Sequence, residues 1–123
     1  MDLPLLAQAT PAANVLTDVL TFVPHTQNAV FPDVGAGGQL GTLRSLVLCN
    51  RDDDDTTFRV ALALQGAADT PAQYLYYDVP LAGNDTFLAE FATGIRIRRG
   101  DVVRVRTANG MCSVLVAATV EDV

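Results

Sequence analysis

The chain has no lysine and no tryptophan, one histidine (His25), and two cysteines, Cys49 and Cys112. Each shortage removes a class of chemistry. Without lysine there is no Schiff-base catalyst and no phosphate-loop lysine. One histidine and two distant cysteines make a poor zinc set. His25 could formally serve as base to Cys49, Cys112, Ser45 or Ser113. Those four lie inside apolar, strand-like runs, with no nucleophile elbow or cysteine-protease signature around them. The expectation is a protein that is not an enzyme and uses no cofactor or metal, its thiols buried and free.

Other absences bound the partners. The missing tryptophan removes a common anchor for sugar stacking, leaving Tyr74, Tyr76 and Tyr77. No apolar run reaches the roughly eighteen residues of a membrane span, and Met1-Asp2-Leu3-Pro4 lacks the basic start of a signal peptide. Positive charge is scarce: 8 basic residues, all arginine, face 14 acidic ones, for a net charge of −6. That balance argues against a nucleic-acid partner, and the apolar pattern against a membrane one.

What is present is apolar and periodic. Of 123 residues, 50% are hydrophobic and 18% charged, which excludes intrinsic disorder and gives one domain's worth of chain. Residues 1–14 read as an N-terminal arm. Pro4 and Pro11 punctuate it, and Leu3, Leu5 and Leu6 form an apolar knot that a partner surface would bury. From residue 15 to 123, apolar and polar residues alternate with period two. Turn chemistry separates the runs at residues 35–38, 52–55, 66–71, 83–85, 99–101 and 109–110. About eight short antiparallel strands without an amphipathic helix predict an all-β, jelly-roll-like β-sandwich. Its core is expected from Leu46, Leu48, Phe58, Val60 and Leu62, with Phe87, Val103, Val105, Val114 and Val116 from later strands.

Several motifs invite sharper readings. The glycines at 35, 37, 38 and 41 precede a strand-like run rather than a helix, so they read as a loop and not a phosphate site. Asp52, Asp53, Asp54 and Asp55 are consecutive and lack the glycine and distal glutamate of a calcium loop, so they read as a solvated hairpin tip. Arg99-Gly100-Asp101 reads as a turn. On either side of it, alternation places Arg96 and Arg98 opposite Ile95 and Ile97, and Arg104 and Arg106 opposite Val103 and Val105. A hairpin here would bring Ile97 to Val103 and Arg96 to Arg104, gathering four arginines on one face. Something acidic must cover such a face: the chain's own aspartates, a neighbouring subunit through its Asp52 to Asp55, or an acidic polysaccharide or nucleic acid.

A resemblance runs through the middle of the chain. It is carried by Ser45-Leu46-Val47-Leu48-Cys49-Asn50-Arg51, Thr56-Thr57-Phe58-Arg59-Val60-Ala61, Gln73-Tyr74-Leu75-Tyr76-Tyr77-Asp78-Val79-Pro80 and Asn84-Asp85-Thr86-Phe87. Thr21-Phe22-Val23-Pro24 and Gly100-Asp101-Val102-Val103 extend it to about residues 20–107. In these strings the chain resembles a family of small all-β bacteriophage virion structural proteins, found also in gene transfer agents. The resemblance implies a structural part of a virion assembled in the bacterial cytoplasm, either head decoration, spike base or tail attachment. It implies a homo-oligomer, trimer to hexamer, contacting other virion proteins. The alternative is a receptor- or carbohydrate-binding module, with Tyr74, Tyr76 and turn aspartates forming a shallow site for a host surface glycan.

Overall fold

The computed structural model describes residues 2–22, 40–98 and 100–121. His25 and most of the glycine-rich loop lie outside the described residues. Among the described residues there are eight strands: β1 (Asp2–Ala9), β2 (Thr17–Thr21), β3 (Leu40–Asn50), β4 (Thr56–Ala63), β5 (Tyr74–Leu81), β6 (Thr86–Ile97), β7 (Val102–Thr107) and β8 (Cys112–Glu121). They form two four-stranded sheets, β1-β8-β3-β6 and β2-β7-β4-β5. The first strand pairs with the last, the second with the seventh, the third with the sixth and the fourth with the fifth, all antiparallel. This is a ribbon folded in half and rolled up, the jelly-roll arrangement of an all-β sandwich.

Period-two alternation builds the layers, since each strand turns one side chain in two toward the other sheet. Leu46, Leu48, Val114 and Val116 from the first sheet meet Phe58, Val60, Val103 and Val105 from the second, all at most 2% exposed. Leu62 and Phe87 pack against this cluster while staying partly exposed. The ring of Phe58 spans the layers, 4.8 Å from that of Phe87 and 6.3 Å from that of Tyr76.

Where alternation slips, a bulge restores it. Leu43 and Leu46 are both buried although three residues apart. The pairing of β3 with β8 steps over Arg44, which is extruded to solvent.

Two expectations are corrected here. The segment expected as an arm separate from the sandwich is its edge strand: Asp2–Ala9 pairs with β8 from Asp2↔Glu121 to Ala9↔Val114. Pro4 does not prevent this, because an edge strand leaves one side of its backbone unpaired and can spare an N–H. Nor do β6 and β7 form a hairpin. The turn at Gly100, with φ of +90°, carries the chain from one sheet to the other. Ile97 and Val103 still reach the same core, each 1% exposed.

Candidate functional site

Two buried polar residues tie the loops at opposite ends. Asn50, fully buried, donates from Nδ2 to the carbonyls of Asp54 at 3.0 Å, Ala82 at 3.2 Å and Leu81 at 3.4 Å. Its Oδ1 accepts from the Asp52 N–H and from Asn109 Nδ2, both at 3.1 Å. One side chain thus clamps three connections. At the other end Asp101, 4% exposed, accepts from the backbone N–H of Gln65 at 3.0 Å and of Arg98 at 2.8 Å. The carboxylate of the Arg99-Gly100-Asp101 turn therefore points inward and is used up in holding the crossover.

The aspartate run does not form a hairpin tip, because β3 and β4 belong to different sheets. Its carboxylates serve the neighbouring turn: Asp55 Oδ1 accepts from the Gly83 N–H and Asp53 Oδ1 from Asn84 Nδ2, both at 3.0 Å. A Cβ on Gly83 would collide with the Asp53 carbonyl, so the two loops are closely fitted. Among the described residues, no three histidine, cysteine, aspartate or glutamate side chains are grouped to hold a metal.

The arginines divide between the sheets instead of sharing a face, because β6 belongs to the first sheet and β7 to the second. Arg96 lies on β6 and Arg98 just beyond it, whereas Arg104 and Arg106 lie on β7. On the outer face of the second sheet Arg104 Nε donates to Asp18 at 2.8 Å and its Nη1 to the Ala67 carbonyl at 2.7 Å. Arg106 is the direct cross-strand neighbour of Arg59 and donates to Asn14 Oδ1 at 3.2 Å. Arg59 holds Asp78 with two hydrogen bonds, at 2.5 and 3.1 Å, and lies 4.0 Å over the ring of Tyr77. That bonding keeps the Asp78 carboxyl below its ordinary range and raises the Arg59 guanidinium. Of the cover expected for the arginine face, the chain's own groups serve Arg104 and Arg106, and Arg59, outside that expectation, is held by Asp78.

A bulge in β5 creates this arrangement. Val79 pairs with Phe58 but Tyr76 with Val60, so Tyr77 and Asp78 stand together opposite Arg59. Asp78 has φ of +51°, a left-handed conformation that aspartate tolerates better than most residues. The bulge turns Tyr76 into the core, 5.1 Å from Phe87, and leaves Tyr77 outside. A second register shift, at Leu75, puts the half-buried Tyr74 beside the exposed Tyr77 and away from Tyr76. The rings of Tyr74 and Tyr77 meet edge to face at 5.0 Å and, with Arg59, Asp69, Thr70 and Pro71, line a hollow of about 490 Å³. Partial burial and a hydrogen bond to Asp69 push the Tyr74 hydroxyl above its usual pKa.

The outer face of the first sheet is chemically different. Register aligns Gln8, Leu115, Val47 and Leu88 in one row across all four strands, with Leu6, Ala117, Ser45 and Glu90 in the next. Leu6 is 64% and Leu88 54% exposed. Cys49 opens onto this face beside Ser113, whereas Cys112 points into the core, where burial raises its thiol pKa. The thiols lie on opposite sides of the sheet and are free. Neither a scan against protein-family models nor a search of curated proteins returns a match.

Proposed function

We propose that the protein is a structural component of a phage or phage-like particle, acting by symmetric assembly with copies of itself and with other virion proteins. The observation that carries this is the apolar row on the first sheet. Leu115, Val47 and Leu88 lie side by side across three strands, with Leu6 on the edge strand next to them. Leu6 and Leu88 on the two edge strands are exposed and Val47 and Leu115 between them half-buried, and apolar surface of this kind gains free energy when a partner covers it.

A second copy is the proposed occupant. The row itself carries no charge, and the acidic side chain of the row beside it, Glu90, sits at the far edge strand from Leu6, so two net-negative chains can meet along the apolar row. Four strands about 4.8 Å apart and roughly eight residues long make a face of about 500 Å². A typical stable interface uses about 800 Å² per partner, so one such contact is weak. Repetition around a symmetry axis multiplies it. The resemblance of residues 20–107 to small phage virion proteins supplies the particle context.

The test is incorporation. Particles purified from a strain expressing wild-type chain should contain it at a fixed copy number. The double variant Leu6→Glu, Leu88→Glu should fold and stay out of the particles. Loss of the wild-type chain from purified particles, or unchanged incorporation of the variant, would overturn the reading.

A further inference from the structure

We propose that the hollow formed by Tyr74, Tyr77, Asp69 and Arg59 on the second sheet binds a neutral saccharide. This inference does not rest on the assembly reading, which concerns the other sheet.

The geometry supplies a preformed site. Tyr77 is 57% exposed, and Tyr74 stands at 87° to it, so the two rings form a corner. One side of Tyr77 is already covered by the Arg59 guanidinium, itself pinned by Asp78. The ring is therefore held in place before any ligand arrives, which lowers the ordering cost of binding. A volume of about 490 Å³ falls within the range of roughly 300–1,000 Å³ usual for small-molecule sites.

The chemistry selects the ligand class. A pyranose presents apolar C–H groups on one face and hydroxyls, each both donor and acceptor, around its rim. The hollow matches this with aromatic surface beside interleaved acceptors and donors. Asp69 lines the hollow beside Tyr74, and its carboxylate offers acceptor lone pairs. Thr70 and the Tyr77 hydroxyl contribute groups of both kinds.

Charge narrows the class. Among the residues that line the hollow, Arg59 is balanced by Asp78 and Asp69 adds a negative charge, while Arg106, the neighbour of Arg59, stands outside the lining, so the wall disfavours uronates, sialates and phosphates. A quaternary ammonium is disfavoured because a guanidinium already occupies the cation position over Tyr77. A neutral sugar remains.

The chain carries three tyrosines and no tryptophan, so tyrosine ring NMR signals report on this site with little background. The full-length protein would be titrated to millimolar levels with neutral oligosaccharides (maltotriose, cellotriose, lactose, mannobiose) and with acidic ones (trigalacturonate, oligosialate). At least one neutral sugar should shift the rings of Tyr74 and Tyr77 and leave the core ring of Tyr76 in place. Tyr77→Ala should weaken binding about tenfold or more, while Tyr77→Phe, which keeps the stacking surface, should stay within about threefold. The proposal is overturned if no neutral sugar moves these rings, if only acidic sugars do, or if Tyr77→Ala binds as tightly as wild type. Particle incorporation is unaffected by any of these results, so the two readings fail separately.

Discussion

The two sheets share one core yet present opposite exteriors. On the second sheet, Arg59, Arg104 and Arg106 each have a hydrogen-bonding partner within the chain. On the first, register sets Leu115, Val47 and Leu88 side by side, beside an exposed Leu6. Both exteriors are consistent with a stable fold, because neither set of side chains enters the core. They differ in what they can gain from another molecule. A charged face paired within its own chain gains little from a partner, since breaking and remaking exposed ion pairs nets almost nothing. An exposed apolar row gains with every square ångström covered.

The comparison breaks most severely at the residue on which both exteriors depend. Phe58→Ala should cost about 3–5 kcal/mol, read as a fall in the denaturant midpoint, because the ring is 1% exposed and touches elements of both sheets. Amide exchange should then rise on the two sheets together; a rise confined to β4 and β5 would mean that the layers are not one cooperative unit. Next in size is Asn50→Ala. It strands the buried Leu81 carbonyl and two part-buried ones and should cost about 1–3 kcal/mol, with faster exchange concentrated in the loops at residues 51–55, 82–85 and 108–111.

Acid sharpens the contrast more gently. The folded-state pKa of Asp78 is depressed, chiefly by its hydrogen bond to Arg59. Its stabilising contribution is therefore complete above the ordinary carboxylate value of 3.8 and fades as pH falls through the lower folded value. Asp78→Asn should flatten that acid limb, leaving the near-neutral slope as in wild type; an unchanged acid profile would show that the clasp does not contribute. Smallest of all should be the effect of Leu88→Glu on the isolated subunit, within about 0.5 kcal/mol of wild type in a denaturant titration.

Much of the sandwich was legible in the sequence, because each strand carries its own period. The runs through Phe58, Val60, Val103 and Val105 point unambiguously inward, and the turn residues mark the strand ends. What alternation cannot encode is which strands become neighbours. Ile97 and Val103 looked like two arms of a hairpin, but their side chains reach the same core from opposite sheets. The arginines followed that error. The Leu3–Leu6 region misled for a different reason: a strand at the sheet edge needs only one partner, so prolines and an incomplete pattern do not exclude it. The tyrosine site turned on two register shifts in β5, one at Tyr77 and Asp78 and one at Leu75. Strict alternation places Tyr74 and Tyr76 together; Asp78, able to adopt a left-handed turn, signals the first shift, while the second, at Leu75, has no local sign. Asn50 was missed because, beyond its own loop at Asp52 and Asp54, its partners at Leu81, Ala82 and Asn109 lie far off in sequence.

Sedimentation equilibrium on the full chain tests the central claim, that the first sheet's exterior is where copies meet. The wild type should form a discrete oligomer whose population rises with concentration. Leu88→Glu should sediment as a monomer, while Asp78→Asn on the opposite sheet should match wild type. A wild-type chain that remains monomeric at every concentration, or an oligomer that survives Leu88→Glu combined with Leu6→Glu, would contradict it.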